Sequence, residues 1–147
     1  MNIQDTVDFH LRSTLFATKR MYNVLAAENG ITQGIGYVLI NIGKEGMPAT
    51  KIAPIMGMTS SSLSRLLKRM EDDGYIYRKH DKKDKRVVKV FVTEKGLKLR
   101  EMVKKAVIEF NERVLAKITP EEMKNFEKVN ALIREQVQLD MDEFLER

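Results

Sequence analysis

The segment that decides the fold is "TSSSLSRLLKRMEDDGYIYRKHDKKDKRVVKVFVTEKG", residues 59–96. It opens with hydroxyl residues that can cap a helix, and Gly74 is the residue type that commonly ends one. Between these points the leucines and Met70 fall on one helical face, while serines and cations fall on the other. The pattern predicts an amphipathic helix whose outer face is hydroxyl-rich at its start and cationic one turn later.

That outer face has the chemistry of a DNA-contacting surface. Backbone N–H groups and serine hydroxyls at a helix start can hold phosphates, and an arginine on the next turn can reach the acceptor edge of a guanine. An ordinary surface helix with a good cap has the same residues, so this helix alone leaves both interpretations open. The candidate DNA-binding residues of the helix are Thr59, Ser60, Ser61, Ser62, Ser64, Arg65, Lys68 and Arg69.

A β-hairpin is predicted directly after this helix. Residues 75–79 and 86–92 are rich in β-branched and aromatic side chains, and a charged run separates them. The alternating valines of the second segment fall on one face, which is expected to pack against the helices. The charged loop, from His80 to Lys85, then projects away from the body.

The tip of the hairpin contains an Asp two residues before an Arg. Side chains at positions i and i+2 of an extended chain point to the same side, so the carboxylate of Asp84 can hold the guanidinium of Arg86 in a fixed orientation. A narrow minor groove, with its enhanced negative potential, is a natural receptor for such an arginine. The candidate DNA-binding residues of this loop are Lys82, Lys83, Asp84, Lys85 and Arg86.

Charge is concentrated in the same segment. The chain has a net charge of +5, and residues 59–92 hold ten Lys and Arg against five acids, so the rest of the chain is neutral. A local basic field on a neutral body attracts a polyanion such as nucleic acid. A solvated surface has a similar composition, and charge alone does not separate the two interpretations.

Composition limits the remaining possibilities. A chain of 147 residues, 43% of them apolar and 32% charged, is typical of one globular domain. No stretch approaches the ~20 apolar residues that cross a bilayer, and the start lacks the pattern of a signal peptide, so no membrane association and a cytoplasmic location are expected. The absence of cysteine excludes disulfides, thiol nucleophiles and thiolate metal sites.

Long amphipathic helices flank this middle segment. Apolar residues at helical spacing predict a first helix from Ile3 that is closed near Gly30. Thr93 can cap a helix that runs to about Lys117, and "TPEE", residues 119–122, is a capping box that predicts a final helix. These helices could bury their apolar stripes within one chain or against a second copy. The amount of apolar surface on the terminal helices favours an intertwined homodimer.

Two shorter helices are predicted between the first helix and the segment that decides the fold. One follows Thr32 and ends near residues 43–46. In the next, Pro54 is tolerated only in the first turn or at a kink, so that helix is predicted to start at Thr50 or to bend at the proline.

In the order of its predicted helices and strands, and in two motifs, the chain resembles the MarR-type winged helix-turn-helix transcription regulators. The first motif is "MTSSSLSRLLKRMEDDGYI", residues 58–76, and the second is D-x-R, five residues, then V/L-T-x-x-G, beginning at Asp84. The resemblance covers almost the whole chain. It implies a mainly α fold with a small β-hairpin, in which a winged helix-turn-helix lobe is flanked by N- and C-terminal dimerisation helices.

The resemblance also implies how the chain works. Residues 1–147 would form a single domain, with residues 1–29 and 94–147 joining a homodimer and residues 31–93 forming the winged-helix lobe. The partner would be double-stranded DNA with a palindromic operator. Arg86 is similar to the minor-groove finger of such proteins, and Arg65 matches a residue at the DNA surface.

A small-molecule effector is a further implication of the resemblance. Many relatives bind a small molecule, often aromatic or anionic, between the dimer helices and the DNA-reading lobe. Binding of this molecule moves the two lobes away from the operator spacing. The expected function is therefore that of a repressor released by its effector. No residue of this chain is assigned to the ligand.

Two other classes of function compete with this one. An enzyme is disfavoured because His10 and His80 have no cysteine or HExxH-like partner, and "GIG", residues 34–36, lacks the rest of a dinucleotide fingerprint. We therefore predict no enzymatic activity, no cofactor and no metal. The alternative that stays open is a winged-helix protein-interaction or RNA-binding module without operator specificity.

Overall fold

The computed structural model describes residues 1–146 and divides into two compact units, residues 1–106 and the residues from Val107 onward. The predicted domain range 1–147 and the dimerisation range 94–147 both end at Arg147, which lies outside the described residues. The helices are α1 (Val7–Ala27), α2 (Gln33–Asn41), α3 (Ala49–Met56), α4 (Ser60–Asp72), α5 (Glu94–Leu115) and α6 (Pro120–Leu145). The strands are β1 (Met47–Pro48), β2 (Ile76–His80) and β3 (Val88–Val92).

Threonine side chains cap five of these helices, and at α5 the Thr93 hydroxyl oxygen accepts from the Gly96 N–H at 3.0 Å. Thr6, Thr32, Thr59 and Thr119 each have an extended backbone and accept a hydrogen bond from an N–H in the first turn that follows. The cap at Thr6 corrects one prediction, because the first helix begins at Val7 rather than at Ile3. Residues 3–5 form a separate 3-10 turn.

The core of the first unit lies among α2, α3, α4, the sheet and the start of α5. Val38, Leu39, Met70 and Val90 are fully buried within it. The apolar face of α4 therefore points inward as predicted, and its serines and cations lie on the outer side. This burial fixes which face of α4 is open to a partner.

The sheet has three antiparallel strands in the order β1-β3-β2. The predicted hairpin is present, with Val90 of β3 opposite Arg78 of β2. Its charged loop spans residues 81–87 rather than 80–85, so Arg86 lies in a turn and not, as predicted, in an extended segment. Met47 of β1 pairs with Val90 from the other side, so the prediction of a two-stranded element missed a strand. Two residues are too short to show the alternation from which a strand is predicted.

The region between α2 and α4 also departs from prediction in detail. The second helix ends at Asn41 rather than near residues 43–46. The third begins at Ala49 rather than Thr50, and Pro54 lies inside it. Gly57 then turns the chain with a φ of 59°, so α3, a short turn and α4 form a helix-turn-helix. With the hairpin as a wing, the predicted mainly α fold with a winged helix-turn-helix lobe is confirmed.

The second unit contains the end of α5 and all of α6. The predicted capping box is present: Thr119 Oγ1 accepts from the Glu122 N–H at 3.1 Å, and the Glu122 carboxylate accepts from the Thr119 N–H at 2.7 Å. No described residue of α6 is buried. Within residues 1–146, none of the helices combines the length and apolar content that spanning a membrane requires.

Candidate nucleic-acid interface

Hydroxyl groups cluster at the start of α4. Thr59 Oγ1 accepts a hydrogen bond from the Ser62 N–H at 3.3 Å, and it lies 3.2 Å from Ser61 Oγ and 3.1 Å from Ser62 Oγ. Thr59, Ser60, Ser61 and Ser64 are exposed, and Ser62 is half-buried. The predicted hydroxyl surface therefore exists at the helix N-terminus, where the helix dipole also favours an anion.

The three cations of α4 have different surroundings. Lys68 Nζ lies 3.2 Å from both carboxylate oxygens of Asp72, and Arg69 Nε lies 3.8 Å from Asp73 Oδ2. Within the part of the chain that the structure describes, Arg65 is the only cation of α4 without an ion pair. The charge and the hydrogen-bond donors of the Arg65 guanidinium are therefore available to a partner.

An ion pair joins α4 to the hairpin. The Arg78 guanidinium of β2 donates two hydrogen bonds to Glu71 Oε2, from Nη2 at 2.7 Å and from Nε at 3.2 Å. The hydrogen bond from Arg78 lowers the pKa of the Glu71 carboxyl. Neither residue was predicted as part of the site, because nothing in the local sequence links positions seven apart on different elements. The pair restrains the hairpin relative to α4.

The tip of the hairpin contains the predicted contact between Asp84 and Arg86. Asp84 Oδ1 accepts from Arg86 Nε at 3.1 Å and from the Arg86 backbone N–H at 3.0 Å, and Oδ2 accepts from Nη2 at 3.2 Å. The hydrogen bond from the Arg86 side chain lowers the pKa of the Asp84 carboxyl. The Arg86 side chain is nevertheless 91% exposed. It is held in one orientation and remains open to a partner.

Asp81 makes contacts that were not predicted from the sequence. Its carboxylate accepts from the backbone N–H groups of Lys83, at 2.8 Å, and Asp84, at 3.1 Å, and forms an ion pair with Lys89 Nζ at 2.9 Å. The hydrogen bond from Lys89 is the main cause that lowers the pKa of Asp81 to about 2. An available signal was an Asp at a strand end followed by lysines, the position where Asp side chains commonly close a turn.

The outer face of the hairpin is aromatic and cationic. The rings of Tyr77 and Phe91 stack with centroids 5.3 Å apart, and Lys79 Nζ lies 5.4 Å from the Tyr77 centroid. Phe91 therefore covers one side of the Tyr77 ring, and a cation lies over the same ring. The stack joins the two strands of the hairpin near the end that lies away from the loop.

The structure places the predicted residues in two groups. The candidates of the recognition helix share the N-cap and the outer face of α4, and the candidates of the wing share the loop between β2 and β3. The ion pair between Glu71 and Arg78 connects the two elements. Among the described residues no group of three or more His, Asp or Glu side chains is arranged to hold a metal ion.

Comparison with known proteins identifies the family. The MarR family model matches residues 38–88, which include the helix-turn-helix and most of the wing. Over 98 residues the chain is 31% identical to BilQ of Clostridium symbiosum, an HTH-type transcriptional regulator, and the match covers 66% of this chain and 68% of BilQ. Over 93 residues it is 32% identical to the regulator TtmR of Methylorubrum extorquens, covering 63% of this chain but only 48%, about half, of TtmR.

The fold also matches that of a solved protein–DNA complex. The structure of MepR from S. aureus in complex with DNA superposes with a TM-score of 0.83 at 20% identity, covering 92% of this chain and 99% of MepR. At that identity the likeness establishes the shared fold alone. Because the family model and the match to BilQ agree with the fold, the chain belongs to the MarR family of winged-helix transcriptional regulators.

Proposed function

We propose that the protein is a homodimeric repressor that recognises a palindromic operator in double-stranded DNA. The observation that carries this proposal is the state of Arg86, whose guanidinium Asp84 orients through two hydrogen bonds while 91% of the side chain stays exposed. An arginine that is already ordered loses less rotamer freedom when it enters a minor groove. A cation that only solvated the surface would need no such restraint.

The recognition helix supplies the second part of the proposal. Arg65 has no ion pair within the described residues and lies one turn from the hydroxyl cluster at the start of α4. A helix in the major groove places its N-terminal residues against base edges, where an arginine can donate to both acceptors of a guanine. Thr59, Ser60, Ser61 and Ser64 would then meet phosphates, together with Lys68 and Arg69 at the following turns.

Exposed apolar side chains support the homodimer. Phe16 of α1 is 60% exposed, and Phe126 and Val137 of α6 are 60% and 57% exposed. Apolar stripes of this kind mark surfaces that bind another protein, and a second copy of the same chain is the simplest partner. Two recognition helices about 34 Å apart would read successive major grooves on one face of B-DNA. Occupation of a promoter in this way blocks polymerase.

Release by a small-molecule effector belongs to the same proposal. An effector that binds the dimer better when its two lobes are away from the operator spacing lowers DNA affinity by linkage. Screening aromatic and anionic small molecules for dissociation of the protein from bound duplex would test this step. A screen without any release would leave a regulator that acts without an effector of these classes.

The alternative of a single-strand RNA-binding module has weaker support. Proteins that bind single strands stack bases on open aromatic rings. On the outer face of the hairpin, the Tyr77 ring is stacked on Phe91 and has Lys79 over it, so it is a poor platform for a base.

The test begins with selection of bound fragments from the source genome by the purified protein. Binding of the selected duplex, a scrambled duplex of the same composition and a single-stranded RNA is then compared by fluorescence anisotropy. A repressor should prefer the selected duplex by at least ~10³-fold at physiological salt. Sedimentation equilibrium of the free protein should give a dimer. Equal affinity for all duplexes, or a stable monomer, would overturn the proposal.

A further inference from the structure

Asp81 lies where β2 ends and the loop of the wing begins, and both of its carboxylate oxygens are used. Oδ1 accepts from the backbone N–H groups of Lys83 and Asp84, at 2.8 and 3.1 Å. An Asp that accepts in this way takes the place of a backbone hydrogen bond in a turn. Oδ2 lies 2.9 Å from Lys89 Nζ on the neighbouring strand. One oxygen shapes the loop, and the other ties it to β3.

The turn closed by Asp81 also fixes the backbone of Asp84. The Asp84 N–H donates to Asp81, and the Asp84 carbonyl accepts from the Val87 N–H at 3.0 Å. The loop is closed at its base by the Asp81 N–H, which donates to the Val87 carbonyl at 2.8 Å. Asp84 is thus held on both sides, and its side chain is the group that orients Arg86.

Charge alone predicts the opposite role for Asp81. A carboxylate in the wing repels DNA phosphates and neutralises Lys89, so it would weaken binding to DNA. The side chain of Asp81 is only 20% exposed, and its oxygens face the loop and Lys89 rather than solvent. Its contribution to binding is therefore expected to come from the loop conformation.

We propose that Asp81 is a positioning residue for DNA binding, which sets the turn that presents Arg86 and acts through Asp84. This inference rests on the proposed function, in which Arg86 enters the minor groove. Asp81 itself has no contact with DNA in this account. Its contribution is to reduce the number of conformations that Arg86 samples before binding.

Two substitutions at the same position separate orientation from charge. Asp81→Ala and Asp81→Asn both remove the negative charge and release Lys89, but only Asn keeps an oxygen that can accept from the loop N–H groups. For the duplex selected by the wild type, we expect Asp81→Ala to weaken binding at least about fivefold and Asp81→Asn to stay within about twofold. If Asp81→Ala binds as tightly as Asp81→Asn, or more tightly, the proposal is wrong.

The route through Arg86 is tested by combining substitutions. If Asp81 acts only by presenting Arg86, Asp81→Ala should cause no further loss in protein that already carries Arg86→Ala. An equal loss in both backgrounds would show that Asp81 acts elsewhere and would overturn the assignment. Thermal unfolding of each variant confirms that the comparison is made on folded protein.

A measurement without DNA distinguishes this inference from the proposed function. ¹⁵N relaxation of the Arg86 Nε–H group should show an ordered side chain in the wild type and in Asp81→Asn, and a mobile one in Asp81→Ala. An unchanged order parameter in Asp81→Ala would reject the positioning role, whatever the DNA result. Failure of the wild type to select any duplex would instead reject the proposed function. The relaxation data would still test whether Asp81 orders the Arg86 side chain.

Discussion

The Thr93 hydroxyl donates a hydrogen bond of 2.6 Å to the carbonyl oxygen of Gly74, which fastens the end of α4 to the start of α5. The same hydroxyl oxygen accepts from the Gly96 N–H at 3.0 Å, and the Thr93 N–H donates to the Tyr75 carbonyl at 3.0 Å. Thr93 is therefore both the cap of α5 and the link between α5 and the end of α4. The T-x-x-G motif of the sequence is a packing motif.

Gly96→Ala should destabilise the fold. A Cβ at this position would overlap the Tyr75 carbonyl oxygen and lie 2.7 Å from Val92 Cγ1, so the end of α4 would have to move away from α5. We expect the free energy of unfolding to fall by about 1–3 kcal/mol, measured by urea denaturation. Gly43→Ala is the matched control, because a Cβ there would have no heavy atom within 4 Å. Equal stability of the two variants would contradict this account of the motif.

Arg86→Ala should weaken operator binding by about 1–3 kcal/mol with folding intact, because it removes the ordered guanidinium from the wing. Asp84→Ala should also weaken binding, although it deletes a negative charge, since the Arg86 guanidinium loses the two hydrogen bonds that orient it. Fluorescence anisotropy with the selected duplex measures both effects. Tighter binding by Asp84→Ala would show that net charge, rather than orientation, governs the wing.

Arg65 and Lys68 should differ in their effects. Arg65 has no ion pair within the described residues, whereas Lys68 is partly neutralised by Asp72. We expect Arg65→Ala to cost about 1–3 kcal/mol and to relax the preference for one base pair, while Lys68→Ala weakens binding to all duplexes similarly. Titration of single-base operator variants measures the difference. The same base preference in Arg65→Ala and in wild type would remove Arg65 from base recognition.

Acid should weaken the hairpin through Asp81. Because the pKa of Asp81 is lowered to about 2 in the folded protein, against about 3.9 in an unfolded chain, the folded state favours the carboxylate. Its contribution to stability is present above about pH 4 and is lost as the pH falls towards 2. The melting temperatures of the wild type and of Asp81→Asn should therefore converge as the pH falls from about 4 towards 2. A constant difference between them down to pH 2 would contradict the assignment.

The cap of α6 gives a test in the second unit. Thr119→Ala removes the oxygen that accepts from the Glu122 N–H and leaves the Glu122 carboxylate with fewer donors. A loss of about 1 kcal/mol in the free energy of unfolding is expected. Thr119→Ser keeps the capping oxygen and should retain most of the stability. Equal losses in the two variants would show that the hydroxyl is not the stabilising group.

The amino-acid sequence by itself determined the features that depend on near neighbours. Helix caps, apolar stripes and the contact between Asp84 and Arg86 involve residues within about four positions of one another, although Asp84 and Arg86 meet across a turn rather than along the predicted extended chain. The outer face of α4 and the charged tip of the hairpin could therefore be predicted. Pro54 shows the limit of such rules, because α3 begins at Ala49 and continues through the proline.

Tertiary structure alone decided the contacts that hold these elements together. The short strand β1 exists only because Met47 meets the central strand, and Gly96 is required chiefly because the Tyr75 carbonyl lies against it. The pairing of Asp81 with Lys89 likewise depends on the register of the hairpin, which local preferences do not fix. Such contacts join residues on different elements of the fold. The burial pattern along one segment does not indicate which distant atom will contact a given residue of that segment.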